Sequence, residues 1–503
     1  MFQPIRFTFL ITACVTFFAA TAQQKIVLHI DVNKTHQTIQ NFGASDAWSC
    51  QFAGNWPDTK KNAIADWLFS MDTLSNGNPK GIGLSLWRYN FGAGSAEQNN
   101  ESGIKDEWRR ASLTVSEQNP NSKKVIAQNW FLSAAKKRGV QQFLGFFNSP
   151  PVQLTKNGKA FASKGQCNID SNNYKAFADY AVKAIMTIKR STGITFSYIS
   201  PVNEPQWDWS DGGQEGCPYA NEEISTIVKT FSKSFQQNKL STKLLIAESG
   251  DLKYLLTVNN KNNKSQQVHD FFNSSSPYYI GNLPNVSRVI ASHSYFTTSP
   301  FTTAAVLRTQ VKDSIAKIKN LAYWQSEYCI LGDNEGEING NKKDTGMNAA
   351  LYVAKVMYED LAIADAAAWQ WWTAISAYDY KDGLIYIDKS ETGGNFSDSK
   401  MLWAMGNYSR FVRPGMKRID VAVTTKDVLV SGYKDVRKGT VVLVFVNESA
   451  EEKLITNDQA GKFTNKKIST YTTNATANLA KSHTTFNELV IPAKSVVTVV
   501  MNR

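Results

Sequence analysis

A regular alternation of short apolar segments with longer helix-like segments constrains the fold of this chain more than any other sequence feature. The apolar segments are rich in β-branched and aromatic residues, which is typical of buried parallel strands. Eight of them occur, ending at 43–45, 84–89, 143–147, 198–202, 244–247, 289–292, 322–325 and 366–372. Eight β–α repeats over roughly 360 residues predict an α/β fold, a (β/α)8 TIM barrel with loop insertions.

The two ends of the chain have a different pattern and predict a second domain. A chain of 503 residues exceeds the size of one ordinary core. Segment 25–39 alternates apolar and polar residues. After residue 409, β-type segments without intervening helices recur at 428–430, 441–446, 468–473 and 489–501. We therefore predict that both termini form one fused antiparallel β-sandwich at the side of the barrel. The predicted divisions are N-terminal strands in 23–40, the barrel in 41–408 and the β-sandwich in 409–503.

The first residues have the pattern of a secretory signal peptide. Arg6 precedes an apolar stretch, and Ala20-Thr21-Ala22 supplies small residues for cleavage. We expect a signal peptide in 1–22 and a mature protein that is secreted or periplasmic. Cys14 lies in a partial lipoprotein cleavage box, which we rank lower because apolar residues continue beyond it. No other run approaches the ~20 apolar residues of a transmembrane segment.

Four cysteines remain after cleavage of that leader, namely Cys50, Cys167, Cys217 and Cys329. In an oxidising compartment they could form disulfides. Cys167 with Cys217 is the most plausible pair because both lie in loop-like sequence, although connectivity does not follow from sequence. Cys329 lies near a buried strand and is interpreted as a packed thiol.

The composition excludes several classes of partner. The formal charge is +12, but the lysines are scattered over the chain and form no sustained basic helix or arm. Zinc-type Cys/His spacing, nucleotide-binding glycine loops and nucleic-acid modules are missing from the sequence, so no nucleic-acid partner is expected. The 13 tryptophans suggest stacking platforms for carbohydrate, although most aromatic rings are expected in the core.

Two glutamates follow predicted strands directly. Tyr198-Ile199-Ser200-Pro201-Val202 leads into Asn203-Glu204-Pro205, and Tyr323-Trp324-Gln325-Ser326 leads into Glu327. A (β/α)8 barrel presents its catalytic side chains at this end of its strands. Glycoside hydrolysis needs such a pair, because one carboxyl group protonates the leaving oxygen while the other attacks the sugar or activates water. We therefore predict Glu204 and Glu327 as the catalytic pair.

The neighbours of Glu204 suit a general acid. Such an acid needs an apolar setting or a second negative charge nearby to hold its proton. Trp207 would supply the first and Glu327 the second. Asn203 can donate to a sugar 2-hydroxyl, a contact that strengthens as positive charge develops on the sugar. Both residues are predicted to bind substrate.

The candidate partners of Glu327 come from other strands. A nucleophilic carboxylate must stay ionised and therefore needs donors. Arg88 at the end of the second strand and Tyr295 after the sixth are the candidates, and His293 lies two residues before Tyr295. A structural salt bridge is the alternative for Arg88, and a capped core histidine is the alternative for His293.

Further substrate contacts are predicted at the first and last strands. Trp371 and Trp372 end the eighth strand, and strand alternation turns at least one tryptophan of this segment into the barrel. Asp46 and Trp48, after the first strand, could bind sugar hydroxyls, with a loop-capping Asp beside a packed Trp as the alternative. Glu248 is the best rival carboxylate, but substrate contact or structural pairing suits it better.

Taken together, several segments resemble glycoside hydrolase family 30 and follow one another in the family's order. They are Asn41-Phe42-Gly43-Ala44-Ser45, Arg88-Tyr89-Asn90-Phe91-Gly92, Asn148-Ser149-Pro150-Pro151, Asn203-Glu204-Pro205, His293-Ser294-Tyr295, Ser326-Glu327 and Arg410-Phe411-Val412-Arg413-Pro414-Gly415. The resemblance implies a barrel with a fused β-sandwich, Glu204 as acid/base, Glu327 as nucleophile, retention of configuration and no metal or other cofactor. Asn148 is expected to contact substrate.

Within this family the chain is most similar to the endo-β-1,6-galactanase-like branch. The resemblance implies a retaining β-glycosidase on arabinogalactan side chains, and the leader adds secretion. We expect a monomer that acts on a polysaccharide or oligosaccharide. Val152-Gln153-Leu154 stands where many relatives carry an aromatic residue, which leaves the substrate open. The alternatives are a β-1,6-glucanase, a (glucurono)xylanase or a non-catalytic glycan-binding protein.

Overall fold

Eight parallel strands close into a barrel in the computed structural model, which describes residues 25–117, 119, 121–256, 261–457 and 467–501. The predicted signal peptide and Cys14 lie outside the described residues. The barrel strands are β1 (Asn41–Ser45), β2 (Leu86–Phe91), β3 (Gln142–Phe147), β4 (Tyr198–Ser200), β5 (Lys243–Ser249), β6 (Val286–His293), β7 (Ala322–Glu327) and β8 (Ala368–Trp371). Closure of β8 onto β1 confirms the predicted (β/α)8 barrel.

Each barrel strand is followed by a helix that covers the outside of the barrel. These helices are α1 (Asp58–Phe69), α2 (Lys123–Lys137), α3 (Tyr174–Thr192), α4 (Asn221–Gln237), α5 (Gln267–Phe272), α6 (Phe301–Ala316), α7 (Met347–Tyr358) and α8 (Lys400–Ser409). In α3, Phe177, Ala181, Ile185 and Ile188 recur at helical spacing and are buried against the strands. The helix ends at Gly193, whose φ of 66° is readily adopted only by glycine.

The barrel interior changes from apolar to polar along the strands. A small buried cluster fills the amino-terminal half of the interior and includes Leu86, Leu144, Leu245, Ala291 and Trp324. Side chains two residues apart on a strand share one face. Arg88 and His293, two positions beyond Leu86 and Ala291, therefore enter the interior one layer higher, where the charged site begins.

The second domain is a nine-stranded sheet built from both ends of the chain. Its spatial order is Ala480–Thr485, Lys467–Thr473, Ser495–Met501, Val441–Asn447, Val428–Lys434, Lys417–Val423, Lys25–Thr38, Lys453–Asn457 and Leu489–Ile491. Most neighbours are antiparallel, which confirms the β-rich side domain. Lys25–Thr38 pairs in parallel with Lys453–Asn457, so this one pair departs from the predicted antiparallel arrangement.

The strand Val441–Asn447 shows how the two domains share a boundary. Val441, Leu443 and Phe445 belong to the core of the side domain, whereas the alternate residues Val442 and Val444 belong to the core that includes the barrel helices. Both faces of this strand are buried, so its sequence is a continuous apolar run and does not alternate between apolar and polar residues. The sheet is therefore fixed to the barrel by apolar packing on one whole face.

The four cysteines that remain after residue 22 are buried thiols. Cys167 and Cys217 share a hydrogen bond, and the Cys217 sulfur accepts one from the backbone N–H of Asn168 at 3.3 Å. The predicted disulfide between them is thus not formed, although the two side chains are neighbours as the prediction required. Within the described ranges, no helix is both long and apolar enough to cross a membrane.

Candidate active site

A cavity of about 1050 Å³ opens at the carboxyl ends of the barrel strands and contains both predicted catalytic glutamates. Glu204 follows β4 and Glu327 ends β7, and both are almost fully buried, with 7% and 4% of their surfaces exposed. Trp48, Trp207 and Trp372 line the same cavity. Two carboxyl groups therefore meet in an aromatic-walled cleft, as carbohydrate hydrolysis requires.

Glu327 is held by donors from two other strands. The Arg88 guanidinium forms an ion pair with its Oε2, and the Tyr295 hydroxyl donates to its Oε1 at 3.0 Å. Arg88 also lies 3.7 Å above the Phe146 ring, which fixes the plane of the guanidinium. Burial raises the pKa of Glu327, and the positive charges of His293 and Arg88 oppose that rise. Both donors were predicted from the sequence.

His293 bridges three carboxyl groups in the floor of the cavity. Its Nδ1 is 2.8 Å from Glu204 Oε1 and 3.6 Å from Glu327 Oε1, while its Nε2 is 3.1 Å from Glu248 Oε2. Burial lowers the pKa of His293, but the negative charge of Glu327 and the hydrogen bonds to Glu204 and Glu248 outweigh burial and raise that pKa to about 10. The imidazole is therefore a buried cation at neutral pH.

Glu248 is the carboxylate that keeps this floor charged. Its side chain is fully buried and accepts hydrogen bonds from the Ser200 and Ser326 hydroxyls and from His293. Burial would raise its pKa, but the charges of Arg88 and His293 prevail and lower the pKa of Glu248 to about 2. Arg88, Glu204, Glu248, His293 and Glu327 together form what we call the active-site cluster, with three carboxyl groups and two cations.

Two of the residues in this cluster have a left-handed backbone conformation. Glu204 has a φ of 44° and Glu248 a φ of 54°, in the left-handed region that residues other than glycine rarely adopt. The N–H of Glu204 donates to the carbonyl of Glu248 at 2.8 Å and ties the two strained residues together. Strain of this kind persists where the surrounding structure holds it, and it is concentrated at functional sites.

A chain of amides extends from Arg88 along the cavity floor. Arg88 donates to Asn203 Oδ1 at 2.9 Å, Asn203 donates to Asn148 Oδ1 at 3.1 Å, and Asn148 donates to Asn90 Oδ1 at 3.4 Å. Asn203 lines the cavity, whereas Asn148 is buried one step behind it. Both ends of the Asn203 amide are therefore engaged, which fixes its orientation at the cavity.

The tertiary structure distinguishes the two tryptophans at the end of β8. Gln370 points into the barrel and donates to Asn41, and Trp372 accordingly lines the cavity. Trp371 is fully buried on the other face, where its indole N–H donates to the carbonyl of Asp382 at 2.7 Å. Trp372 meets Trp48 edge to face at a centroid distance of 5.1 Å, so these two rings form one wall of the cleft.

Asp46 is placed away from the cavity. It is 1% exposed, and its carboxylate accepts from the backbone N–H of Asn90 at 2.8 Å and from Gln128 at 3.2 Å. Burial raises its pKa to about 8. This position corresponds to a loop-capping aspartate rather than to the predicted sugar contact, because its carboxyl group is buried and bonded to Asn90 and Gln128.

Sequence reasoning missed several residues that line the cavity, among them Arg109 and Asp382. Arg109 lies in a short helical turn between β2 and α2, and Asp382 follows β8 by eleven residues, yet both line the cavity. Neither residue belongs to a strand end or a short motif, so the sequence carries no local signal for them.

One group of side chains among the described residues has the spacing of metal ligands. Ligand atoms of Glu204, His293 and Glu327 all lie within 4.8 Å of one another. His293 is protonated in this setting and Arg88 already neutralises Glu327, so the positions that a cation would occupy are filled by the protein's own charges. The trio suits proton and glycosyl transfer better than metal binding.

Comparison with known proteins identifies relatives of the whole architecture. The sequence model of O-glycosyl hydrolase family 30 matches residues 23–386. Glucuronoxylanase XynC from Bacillus subtilis (strain 168) is 23% identical over 397 residues, covering 75% of this chain and 78% of the relative. The crystal structure of a conserved exported protein from Bacteroides fragilis is 34% identical, with a TM-score of 0.87 and coverage of 94% of this chain and 100% of that one. The catalytic domain of a family 30 xylanase C from Talaromyces cellulolyticus is 21% identical, with a TM-score of 0.68 and coverage of 95% and 100%.

Proposed function

The chain belongs to O-glycosyl hydrolase family 30 and is a glycoside hydrolase, and we propose that it works by double displacement with retention of configuration. The observation that carries this proposal is the spacing of the two carboxyl groups, whose nearest oxygens lie within 4.8 Å of each other. Retaining glycosidases hold their carboxyl groups about 5–5.5 Å apart, whereas inverting enzymes need about 6.5–9.5 Å to admit a water. Direct attack on the sugar is therefore favoured.

In the first step, Glu327 attacks the anomeric carbon and Glu204 protonates the departing oxygen. Arg88 and Tyr295 hold one Glu327 oxygen each, so the carboxylate is oriented before the sugar arrives. A glycosyl–enzyme ester forms as the glycosidic bond breaks. Ester formation removes the negative charge of Glu327. The donors then stabilise the partial negative charge on the carbonyl oxygen of the ester.

In the second step, Glu204 acts as a base and removes a proton from a water that attacks the same carbon. The Glu327–sugar bond breaks and the product leaves with its original configuration. His293, 2.8 Å from Glu204, keeps the carboxyl group oriented through both steps, and Glu248 anchors the other nitrogen of the imidazole. The side chain that gives the proton in the first step thus recovers it in the second.

For the substrate we propose β-1,6-galactan side chains of arabinogalactan, cut at internal linkages. The proposal is supported by the sequence similarity to the galactanase-like branch and by an aromatic cleft that is large enough for several sugars. The alternative with the most specific support is a (glucurono)xylanase, because a curated relative with that activity aligns over three quarters of this chain. A β-1,6-glucanase is the third candidate.

The mechanism is tested by exchanging each glutamate for alanine and adding azide. Azide can enter the space vacated by Glu204 and attack the glycosyl–enzyme from the same face as water, so Glu204→Ala is expected to yield a glycosyl azide with retained configuration. Glu327→Ala is expected to yield the inverted azide, because azide then replaces the nucleophile. Wild-type activity in either variant would contradict the assignment.

The substrate is tested by the early products formed from three polymers, namely de-arabinosylated arabinogalactan, β-1,6-glucan and glucuronoxylan. A ladder of galacto-oligosaccharides is expected. Activity on either other polymer with none on galactan would leave the mechanism intact and replace the substrate. A single small product from galactan would instead indicate attack at chain ends.

We also propose that the enzyme is exported, with residues 1–22 removed. The n-region, apolar stretch and cleavage site support this proposal, as does similarity to a protein that is described as exported. Amino-terminal sequencing of the protein recovered from the producing cell is expected to begin at residue 23. An intact amino terminus, or a lipid on Cys14, would contradict cleavage after Ala22.

A further inference from the structure

The cleft has the opposite charge to the chain as a whole. The complete sequence carries a formal charge of +12. The residues that line the cavity nevertheless include six carboxyl groups and one guanidinium, and they contain no lysine. The carboxyl groups belong to Glu204, Asp208, Asp211, Glu327, Asp379 and Asp382. Arg88 and His293 beneath the cavity offset Glu327 and Glu204. The four remaining carboxyl groups outnumber Arg109 and Lys261, which lies 5.5 Å from the Trp207 ring, so a uronic acid that enters the cleft meets net negative charge.

Arg109 does not reverse this sign, because aromatic rings and the backbone hold its guanidinium at the wall. It lies 5.0 Å from the ring centroid of Trp48 and 5.2 Å from that of Tyr378, and it donates to the carbonyl of Gly213 at 3.4 Å. Tyr378 in turn donates to Asp106 at 2.9 Å. The guanidinium thus reinforces the aromatic wall rather than forming a separate anion site.

Asp382 is the lining carboxylate that is most deeply buried outside the catalytic pair. Only 8% of its surface is exposed, and its Oδ1 has no hydrogen-bond partner among the described residues. Its backbone is fixed, because its carbonyl accepts from Trp371 Nε1 and from the N–H of Thr373, each at 2.7 Å. The Ser376 hydroxyl and the backbone N–H of Asp382 supply hydrogen bonds to this carboxyl group, so Oδ1 is the oxygen that lacks a donor. A buried polar atom without a partner destabilises a protein unless a ligand supplies one.

Asp382 lies on the side of the cleft where a sugar would bind. Cys329 experiences the charges of both Asp382 and Glu327, so it lies near the two carboxyl groups, and its sulfur is 4.0 Å from the Tyr295 hydroxyl that donates to Glu327. Trp372 lines the cavity beside them. Asp382 therefore faces the region in which a sugar bonded to Glu327 would sit.

We propose that Asp382 is a substrate-binding residue that accepts hydrogen bonds from the hydroxyl groups of a neutral sugar, and that the cleft selects uncharged glycans. This inference rests on the proposed glycosidase mechanism and narrows its substrate class. A sugar hydroxyl offers the donor that Oδ1 lacks, whereas a uronate would bring a second negative charge into the same buried space. Burial raises the pKa of Asp382 to about 6, and hydrogen bonds from Ser376 and from its own backbone limit that rise.

The inference is tested with Asp382→Asn and Asp382→Ala on the full-length mature enzyme, using the polymer that the wild type cuts best. We expect kcat/KM to fall about 10- to 100-fold, the usual effect of losing hydrogen bonds to a charged group. The melting temperature is expected to stay the same or to rise, because a buried charge with one unpartnered oxygen has been removed. Asp66→Asn is the matched control. Asp66 lies on α1, outside the cavity, and pairs with Lys80 and Arg138. It is expected to lose stability and keep activity.

Charge selection is tested on the polymer that the wild type cuts best, in a native form that carries uronic acids and in the same form after chemical reduction of its carboxyl groups. Faster cleavage of the reduced form supports the inference, and faster cleavage of the native form overturns it. Wild-type activity in Asp382→Asn, or a fall in its melting temperature that accounts for lost activity, also overturns it. Inactive Glu204 and Glu327 variants beside an active Asp382→Asn would show that only this inference, and not the mechanism, has failed.

Discussion

The molecule contains two buried charged clusters of similar composition, and their difference shows how one kind of chemistry serves catalysis or stability. The active-site cluster joins Arg88 to carboxyl groups beneath the cleft. A second group, which we call the rear cluster, joins Arg308 to Glu359 and Asp360 between α6 and β8, with all three side chains fully buried. Only the first cluster has an edge on the cavity.

The rear cluster uses its hydrogen bonds to connect elements of the fold. Asp360 accepts from Arg308 Nε at 2.8 Å, from Trp369 Nε1 at 2.9 Å and from the Ser294 hydroxyl at 3.1 Å. These donors come from α6, β8 and the loop after β6. Burial raises the pKa of Glu359 to about 8, so Asp360 is the main charge partner of Arg308 at neutral pH. Position relative to the strand ends, not composition, separates the two clusters.

The largest effect is expected from Glu327→Gln in the active-site cluster. We expect kcat to fall by about 10⁴-fold or more, because the nucleophile is lost. The melting temperature should change little, since three carboxyl groups facing two cations become two facing two. Hydrolysis assays and thermal unfolding check both points. Glu222→Gln, on the exposed face of α4, is the control with full activity. A strong loss of stability in Glu327→Gln would remove the contrast with the rear cluster.

The next effect is expected from Asp360→Asn in the rear cluster. Removing one partner of a buried ion pair leaves Arg308 uncompensated, which costs about 3–5 kcal/mol of unfolding free energy. Urea unfolding measures this loss. The double variant Arg308→Met with Asp360→Leu should be more stable than Asp360→Asn, because no buried charge remains. Unchanged stability in Asp360→Asn would mean that the rear cluster does not hold the fold together.

A smaller effect is expected from Glu248→Gln, which connects catalysis with positioning. The amide cannot balance the His293 charge, so the orientation of Glu204 is weakened and kcat/KM is expected to fall about 10- to 100-fold. Ser200→Ala removes only a neutral hydrogen bond to the same carboxylate and should cost a few-fold at most. Equal losses in the two variants would argue against a charge-based role for Glu248.

The smallest effect is a difference in the pH range over which each cluster loses stability. The pKa of His293 is raised from 6.5 to about 10. Its stabilising contribution to the free energy of unfolding is therefore complete below pH 6.5 and is lost as the pH rises towards 10. The pKa of Glu359 is raised from 4.5 to about 8. Its contribution to the free energy of unfolding is therefore lost as the pH rises from 4.5 to 8.

Each group changes the unfolding free energy by at most about 1.4 kcal/mol per pH unit in its window. Unfolding by urea at several pH values should therefore show a shallower decline above pH 8 in His293→Gln, and a shallower decline between pH 5 and 8 in Glu359→Gln. Identical pH profiles for the two variants would show that the windows do not belong to these groups.

Much of the fold followed from local pattern. Every barrel strand was predicted, because a buried parallel strand needs a continuous apolar run and each run is bounded by a helix or loop signal. In the side domain, the strands Lys417–Val423, Lys453–Asn457 and Ala480–Thr485 were not predicted. They carry many polar residues, and their strand conformation depends on neighbours supplied by the rest of the sheet.

The sequence by itself determined that the chain forms eight strand–helix repeats and that Glu204 and Glu327 stand at strand ends, because these features depend on residues close together in the chain. Tertiary structure alone decided the partners of those glutamates. Arg88 and Glu327 are separated by 239 positions, and their ion pair exists only when the barrel closes. Closure of the barrel also placed Trp372, and not Trp371, in the cleft and brought Asp382 into it. Neighbouring strands, and not the residues of a strand itself, fix which face of a strand end points inward.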